Sequence, residues 1–351
     1  MKHYIIPLFI PHEGCPHQCV FCNQQRITGM VTSVTPADVK RILDFHLAGI
    51  NRPYYVEAAF YGGSFTALPE SVQQALLAPA KREFAAGRID AVRLSTRPDC
   101  IDPENLRHLR EAGVKLIELG AQSFDDGVLR QSGRGHTAAD IVQAAAQVRA
   151  AGMALGIQLM PGLPGDTAAS LQQTLSAALA LQPAVVRLYP TLVLRDTLLE
   201  QLWRRGLFGP LTLERAVAIT AIMKLAFERA GTRVIRTGLQ SSPALDAGGA
   251  VLAGPYHPAF GELVENYIFA AMAAGLFRAA GDLRGPVTLH HAPADASKLR
   301  GQKNHNLAGW QAQYPAAAIR LQADGAPAAL RLSAGGSEYT MTRDELRLSM
   351  P

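Results

Sequence analysis

The sequence predicts an α/β protein that folds as a partial (β/α)6 barrel followed by a small C-terminal α/β appendage. From about residue 50 to residue 230, short apolar runs alternate with helical stretches, which is typical of parallel strands joined by helices. Such connections are right-handed, and six strand–helix units in sequence close part of a barrel. The alternation stops at about residue 232. We therefore expect a barrel domain over residues 1–231 and an extension with the appendage over residues 232–351.

Six short apolar runs are predicted to form the strands of the barrel. Each run is nearly continuous in apolar residues, as expected for strands that are buried on both faces of a sheet. In chain order the runs are Tyr4–Ile10, Val56–Tyr61, Val92–Thr96, Val114–Gly120, Met153–Met160 and Val185–Thr191. The later run Arg233–Gln240 predicts one more strand.

The predicted helices between these strands have recognisable start and stop residues. Thr35-Pro36 and Asp102-Pro103 each combine an N-capping side chain with a proline in the first helical turn. Thr137 is a third N-cap, and Gly113 and Gly152 end the second and third of these helices. These signals support the alternation of strand and helix.

The residues after the barrel predict a smaller α/β unit. Ala253–Phe260 is an aromatic loop interrupted by prolines, and Glu262–Ala279 is a helix with an alanine-rich middle. Three short apolar runs, Val287–His291, Ala317–Leu321 and Ala328–Leu332, are the predicted strands of the appendage.

Composition and cysteine content limit the class of protein. Of the 351 residues, 48% are hydrophobic and 18% are charged, which is typical of a folded protein with a sizeable core. No apolar run reaches the about 18 residues of a membrane span, and Tyr4–Ile10 is too short for a signal peptide. Four cysteines, three of them clustered, indicate a reducing compartment, so we expect a cytoplasmic protein with no membrane segment. The net charge of +5 permits a nucleic-acid partner without requiring one.

Three cysteines follow the first predicted strand in a C-x3-C-x2-C loop. Cys15, Cys19 and Cys22 are close enough in sequence for their thiolates to converge on one soft metal centre. An iron–sulfur cluster held wholly by protein takes four thiolates. Three thiolates therefore predict a 4Fe–4S cluster with one iron open to a small molecule, which is a reactive site.

Two other ligand sets are compatible with the same cysteines. A zinc site would be completed by His12 or His17, although zinc knuckles favour different spacings. A ferredoxin-like cluster would take Cys100 as its fourth ligand, although Cys100 lies far away in the sequence. The alternative for Cys100 is an inert buried thiol.

The cysteine loop resembles the signature of the radical S-adenosylmethionine (SAM) superfamily, C-x3-C-x-aromatic-C, with Phe21 at the aromatic position. The resemblance implies that Cys15, Cys19 and Cys22 hold a 4Fe–4S cluster whose open iron binds the amino and carboxylate groups of SAM. It also implies that the cluster donates an electron and cleaves SAM to a 5′-deoxyadenosyl radical. The architecture that it implies is the same partial, TIM-like barrel, with the site at the carboxyl ends of the strands.

The same resemblance implies which residues contact SAM. The Gly62-Gly63 pair would receive the amino group through backbone carbonyls, because glycine lets the backbone approach a ligand closely. Arg97 would pair the carboxylate, and polar residues at the strand ends would bind the ribose. The implied SAM contacts are Phe21, Gly62, Gly63, Ser64, Thr96, Arg97, Gln122, Ser123, Arg134, Pro161 and Leu163.

Further motifs look like the radical SAM region of the Elongator catalytic subunit. They include Tyr61–Thr66, Arg134–Thr137, Met160–Gly165 and, in the C-terminal extension of that family, Ala253–Glu265. Elongator catalytic subunits also carry an acetyltransferase-like domain. We expect this chain to lack that domain, because too few residues follow Ala280.

Taken together, these motifs predict a radical SAM enzyme that acts on RNA. The expected partners are tRNA, as the substrate, and flavodoxin or ferredoxin, as the electron donor. Arg187 and Tyr189 are candidate substrate contacts, although one residue of register decides whether they point into the barrel or outward. One alternative substrate is a small molecule or a tetrapyrrole, by a looser resemblance to oxygen-independent coproporphyrinogen oxidases. A second alternative is an accessory protein that binds a cluster or haem without turnover.

Overall fold

The computed structural model describes residues 2–10, 15–23, 34–50, 54–241, 243–246 and 249–351. The chain divides into two compact units. One unit contains Met1–Thr212 and Ala230–Tyr256, and the other contains Leu213–Arg229 and His257–Pro351. The predicted division of domains at residues 231/232 stays a prediction.

The first unit is built on a seven-stranded parallel sheet. Its strands, in sheet order, are β1 (Lys2–Phe9), β2 (Tyr54–Tyr61), β3 (Ala91–Thr96), β4 (Val114–Gln122), β5 (Ala154–Leu159), β6 (Val185–Leu188) and β8 (Arg233–Thr237). Every neighbouring pair is parallel. The partial barrel is therefore confirmed, and the additional strand predicted from Arg233 is its seventh. Strands β7 (Val193–Leu194) and β9 (Val251–Ala253) form a separate antiparallel pair.

Helices follow the strands as the sequence predicts. In this unit they are α1 (Pro36–Ala48), α2 (Glu70–Ala85), α3 (Pro103–Glu111), α4 (Asp126–Gln131), α5 (Ala138–Ala150), α6 (Ala168–Ala180) and α7 (Leu198–Arg204). Thr35 and Thr137 each form a capping box with the aspartate three residues later. The Asp102 side chain accepts a hydrogen bond from the backbone of Asn105. These three predicted helix starts are confirmed.

The strands bury apolar residues against the helices and carry polar residues on the opposite face. In β2, Val56, Ala58 and Phe60 have no solvent exposure and alternate with Glu57 and Tyr61. In β1, Ile6 and Leu8 are buried in the same way, whereas Ile5 and Phe9 are 38% and 36% exposed. This period of two leaves the second set of side chains on the inner, concave face of the sheet.

The second unit contains α8 (Leu213–Arg229), α10 (Phe260–Ala280), α11 (Ala296–Arg300), α12 (His305–Gln313) and a four-stranded sheet; the four-residue helix α9 (Pro243–Asp246) belongs to the first unit. The order in this sheet is β11 (Ala317–Gln322), β10 (Gly285–His291), β12 (Ala329–Ala334) and β13 (Ser337–Thr342). The three predicted strands are confirmed. β13 was not predicted, because it contains no apolar run and none of its six residues is buried.

An ion-pair cluster ties the end of β13 to two helices of this unit. The Arg343 guanidinium donates to Glu228 at 2.8 Å and to Glu265 at 2.6 Å.

Within the described residues, no helix combines the length and the apolar character needed to cross a membrane.

Candidate functional site

The cysteine loop is fixed to the barrel by backbone hydrogen bonds and by apolar packing. The backbone N–H of Val20 donates to the Ser132 carbonyl at 3.1 Å, and the Val20 carbonyl accepts from Leu199 at 2.7 Å. Phe21 is buried in an apolar cluster that contains Leu163. The loop therefore lies beside the segments that follow β4 and β5, as a site at the carboxyl ends of the strands requires.

Two buried arginines point at the sulfur of Cys19. Nη1 of Arg134 lies 3.1 Å from Cys19 Sγ, and Nη1 of Arg97 lies 3.8 Å from it. Both arginines and Cys19 are buried. Cationic donors directed at sulfur stabilise a thiolate, which is the form of cysteine that binds metal. The contact of these two arginines with the sulfur was not predicted from the sequence.

The other two cysteines are more accessible. Cys15 is exposed and Cys22 is half-buried. Cys15 Sγ lies 3.3 Å from Ser64 Oγ, so the cysteine loop contacts the segment after β2 that carries the glycine pair. The two sequence motifs meet in space, although 49 residues separate these two side chains in sequence.

The donor set fits an iron–sulfur cluster. In the described ranges no three His, Cys, Asp or Glu side chains gather closely enough to hold a single metal ion. A 4Fe–4S cube does not need such a gathering, because each thiolate binds a different iron. The buried Nε of Arg134, which has no hydrogen-bond partner in the described part of the chain, leaves a free donor beside Cys19.

Of the three alternative ligands, His17 and Cys100 lie within the described residues. His12 lies outside the described residues. His17 is exposed, and its Nε2 lies 3.6 Å from an Asp99 oxygen. Burial, together with the Asp99 carboxylate, raises the pKa of the Cys100 thiol to about 11. The Cys100 thiol is thus harder to deprotonate than an ordinary cysteine, which disfavours it as a ligand.

Gly62 has a backbone conformation that favours glycine. Its φ angle is +91°, in the region that L side chains rarely adopt. Beyond it, Ser64 is buried and Thr66 Oγ1 lies 2.6 Å from Thr96 Oγ1. The segment after β2 is thus tied to the end of β3, and the Gly62-Gly63 backbone lies at the sheet end beside the cysteine loop.

Arg97 is already engaged by neighbouring residues. Its Nε and Nη2 each lie 3.0 Å from an Asp99 oxygen, and Nη2 also donates to the Arg134 carbonyl. Pairing with a SAM carboxylate would compete with Asp99, and that role stays a prediction.

Burial, followed by the charges of Arg134 and Arg97, lowers the pKa of nearby His136 to about 4, so His136 is neutral near pH 7.

The two predicted contacts at the end of β4, Gln122 and Ser123, have different orientations. Gln122 has a φ of +69°, which is uncommon for a residue with a side chain, and its Oε1 accepts from Gln158 at 3.2 Å. The Ser123 hydroxyl is buried 3.1 Å from Thr174 in α6. The structure therefore places Gln122 beside a residue of β5 and Ser123 beside a helix.

The loop after β5 is held by hydrogen bonds and packs on the cysteine loop. The Asp166 carboxylate accepts from the backbone N–H groups of Gly162 and Leu163 at 2.9 and 3.1 Å. The Pro161 carbonyl accepts from the Thr191 backbone at 2.9 Å. Pro161 and Leu163 are thus brought to the same end of the sheet as Phe21, and their contact with SAM stays a prediction.

A belt of four charged residues crosses the concave face of the sheet. It consists of Glu57, Arg93, Glu118 and Arg187, which come from β2, β3, β4 and β6. Arg93 pairs with Glu57 and lies 3.4 Å from Glu118, and Arg187 pairs with Glu118. Gly156 in β5 gives the belt room, since a Cβ there would lie 2.8 Å from Cγ of Glu118.

The contacts of Arg187 show whether Arg187 and Tyr189 point into the barrel or outward, which the sequence leaves open. Arg187 Nη2 lies 2.6 Å from the hydroxyl of Tyr61, which belongs to β2, and Nη1 lies 3.0 Å from the hydroxyl of Tyr189. Three strands separate β2 from β6 in the sheet, so this contact is made across the concave face. Arg187 and Tyr189 therefore point into the barrel.

Comparison with known protein families gives two matches along the chain. Residues 9–178 match the radical SAM superfamily, and residues 183–269 match the radical SAM C-terminal domain. Together these matches cover most of the chain, including the cysteine loop and six of the seven strands of the parallel sheet; of β1 they include only Phe9.

Curated proteins with similar sequences include tRNA-modifying enzymes and a haem chaperone. The tRNA uridine(34) acetyltransferase of Methanocaldococcus jannaschii is 24% identical over 260 residues, covering 63% of this chain and 48% of that protein. Human Elongator complex protein 3 is 27% identical over 204 residues, covering 52% and 37%. The heme chaperone HemW of Bacillus subtilis is 26% identical over 196 residues, covering 55% and 52%. The chain spans about half the length, or less, of these relatives.

A solved structure shares the fold. The archaeal Methanocaldococcus infernus Elp3 with an N-terminal deletion aligns over 81% of this chain and 66% of its own chain, with a TM-score of 0.60 and 21% identity. The fold of most of this chain is thus already known from a solved structure.

Proposed function

This chain belongs to the radical SAM superfamily, and we propose that Cys15, Cys19 and Cys22 hold a 4Fe–4S cluster beside bound SAM. The observation that carries the proposal is the placement of Cys19, buried under the guanidinium groups of Arg134 and Arg97 at the end of the sheet. When bound, the cluster and SAM supply a 5′-deoxyadenosyl radical by reductive cleavage of SAM. A reducing partner such as flavodoxin or ferredoxin would supply the electron, in the cytoplasm.

The residues around the cysteine loop prepare the site in three ways. Arg134 and Arg97 balance the negative charge of the Cys19 sulfur. Phe21 and Leu163 pack together and keep water from the buried side of the loop. The backbone after β2, which is tied to the loop through Ser64 and Cys15, offers carbonyl acceptors to the SAM amino group.

Replacing Gly62 by valine tests the SAM site. At a φ of +91° a branched side chain strains the backbone that would meet the ligand. Displacement of this backbone is expected to lower SAM cleavage under dithionite on the order of 100-fold while iron loading is retained. The assay is chromatography of 5′-deoxyadenosine. Gly209→Val is the control, since a Cβ at that exposed position meets nothing within 4 Å. Full cleavage by Gly62→Val would place the SAM site elsewhere.

We further propose that the substrate is RNA, and specifically tRNA. Similarity to proteins named tRNA uridine(34) acetyltransferase and Elongator complex protein 3 supports this substrate, and the net charge of +5 is compatible with it. The haem chaperone similarity favours a second candidate, a cluster protein that carries haem. Consumption of SAM distinguishes the two, because a carrier need not cleave it.

A deletion strain tests the RNA proposal directly. Bulk tRNA from the strain and from wild type is digested to nucleosides and compared by mass spectrometry. We expect one modified nucleoside to disappear in the deletion strain and to return when the gene is restored. Restoration with the Cys15, Cys19 and Cys22 triple alanine variant is the matched control and is expected to fail. An unchanged nucleoside profile, together with salt-independent or absent tRNA binding by the purified protein, would reject the RNA substrate.

A further inference from the structure

Cys19 and Cys15 have different electrostatic environments. The Cys19 sulfur lies 3.1 Å from Nη1 of Arg134 and 3.8 Å from Nη1 of Arg97. The Cys15 sulfur lies instead 3.3 Å from the neutral hydroxyl of Ser64. Cys19 and both arginines are buried, whereas Cys15 is exposed. Because little solvent screens them, the charges beside Cys19 act strongly on whatever its sulfur binds.

Arg134 is fixed beside Cys19 by backbone groups of the barrel. Its Nη2 donates to the Gly120 carbonyl at the end of β4, and its own backbone N–H donates to the Leu129 carbonyl at 3.0 Å. Among the residues that the structure describes, no carboxylate forms an ion pair with Arg134. Its positive charge is therefore not offset by a neighbouring acid within the described residues.

Arg97, in contrast, is paired with a carboxylate. The two Asp99 oxygens accept from Nε and Nη2 of Arg97, each at 3.0 Å, which is a bidentate ion pair. The remaining nitrogen, Nη1, is the one that lies 3.8 Å from the Cys19 sulfur. The Asp99 carboxylate also lies 3.6 Å from Nε2 of His17, which belongs to the cysteine loop. The pair of Arg97 and Asp99 thus carries little net charge and contacts the loop.

We propose that Arg134 raises the reduction potential of a cluster bound at Cys19, and that Asp99 is the positioning residue that offsets Arg97 and limits this rise. The proposal rests on the cluster function proposed above and assigns control of the potential to these residues. Reduction adds one electron from the donor protein to the cluster. Positive charge nearby therefore favours the reduced form, and negative charge disfavours it. Hydrogen bonds to the ligating sulfurs act on the potential in the same way.

Opposing charges suit a cluster that must both accept an electron and release it. A potential that is too low prevents reduction by the donor protein, and a potential that is too high prevents transfer of the electron to SAM. Arg134 acts against the first limit by stabilising the reduced form. Asp99 acts against the second, because it keeps the charge of Arg97 from adding in full to that of Arg134.

Redox titration of the anaerobically reconstituted full chain tests the proposal. The protein is equilibrated with mediator dyes at a series of fixed potentials, and the reduced cluster is quantified by electron paramagnetic resonance. SAM is left out, so that a change in SAM binding does not alter the result. At the midpoint potential of the wild type, Arg134→Met is expected to lower the ratio of reduced to oxidised cluster on the order of tenfold, which equals about 59 mV for one electron.

Asp99→Asn is expected to shift the potential in the opposite direction. The change removes a negative charge and keeps the size of the side chain, so the ratio of reduced to oxidised cluster should rise on the order of tenfold. Arg97→Met combined with Asp99→Asn removes both members of the ion pair and should shift the potential less than Asp99→Asn alone. Arg110→Met is the control, because Arg110 is exposed on α3 and solvent screens its charge.

The sign of each shift separates control of the potential from a structural role. Opposite shifts in Arg134→Met and Asp99→Asn support the proposal, because loosening of the fold would not change sign with the charge that is removed. If Arg134→Met loads no iron, the shift in Asp99→Asn carries the test.

Iron content and thermal unfolding are measured for every variant. An Asp99→Asn variant that loads iron with an unchanged or lower potential overturns the proposal and leaves the cluster function intact. Loss of iron from both single variants shows a structural role and also overturns it. Wild type that loads no iron overturns the cluster function and this inference together.

Discussion

Replacing Cys15, Cys19 and Cys22 together by alanine is expected to abolish iron loading. The wild-type chain should bind about four irons after anaerobic reconstitution, by the stoichiometry of a 4Fe–4S cluster. The triple variant should bind close to none, because it has lost every thiolate of the loop. Iron and acid-labile sulfide are measured chemically, and the cluster is followed by its visible absorption. Thermal unfolding is measured beside iron loading to show that the variant is folded, because Cys19 is buried, whereas Cys15 is exposed and Cys22 half-buried.

Cys100→Ala is the matched control for this experiment. Cys100 is half-buried, and its raised pKa of about 11 keeps the thiol neutral near pH 7. Its loss should leave the iron content at the wild-type value. Iron retained by the triple variant, or lost from Cys100→Ala, would show that the ligand set has been assigned to the wrong cysteines.

Apolar runs predicted the barrel because parallel strands covered by helices are buried on both faces. All six predicted strands exist, and their ends differ from prediction by a few residues. For example, the first was predicted as Tyr4–Ile10 and is Lys2–Phe9. Such shifts arise at strand ends, where pairing with the neighbour rather than apolar character decides the last residue. β13 (Ser337–Thr342) has no apolar run and no buried residue, and that strand was missed.

The charged belt could have been suspected from the sequence but not assembled from it. Glu57, Arg93, Glu118 and Arg187 are single charged residues inside apolar runs, and a buried charge needs a partner. Which residues pair depends on how far the sheet curves, because the contact between β6 and Tyr61 of β2 crosses three strands. Curvature is a property of the whole sheet, and a local pattern does not contain it.

The residues around Cys19 likewise could not be predicted from local sequence patterns. The spacing of the cysteines and Phe21 indicated the kind of site, because these residues share one loop. Arg134 reaches Cys19 from a position 115 residues later in the chain. The left-handed backbone of Gln122 also follows from tertiary structure, at a register shift between β4 and β5. Local motifs therefore predicted the ligands, while the residues that surround them required the fold.

Replacing Glu118 by alanine is expected to lower the free energy of unfolding by about 3–5 kcal/mol, since it removes one partner from a buried ion-pair network. Glu118 and Arg93 each have 3% side-chain exposure, and Arg187 has 14%. Without Glu118, Arg187 would remain inside the barrel with its charge uncompensated. Equilibrium unfolding in urea measures the change, and Glu111→Ala, an exposed glutamate at the end of α3, should change it by less than about 0.5 kcal/mol.

The double variant Glu118→Ala with Arg187→Met distinguishes a charge effect from a packing effect. If the cost of Glu118→Ala comes from the unpaired guanidinium, removing that guanidinium should recover part of the stability, with a coupling of about 1–3 kcal/mol. If the cost comes from the lost side-chain volume, the two changes should add. Additive losses, or a Glu118→Ala variant as stable as wild type, would show that the belt does not hold the inner face of the barrel together. Measurable coupling would show that Glu118 fixes Arg187, and through it the hydroxyls of Tyr61 and Tyr189 that Arg187 contacts.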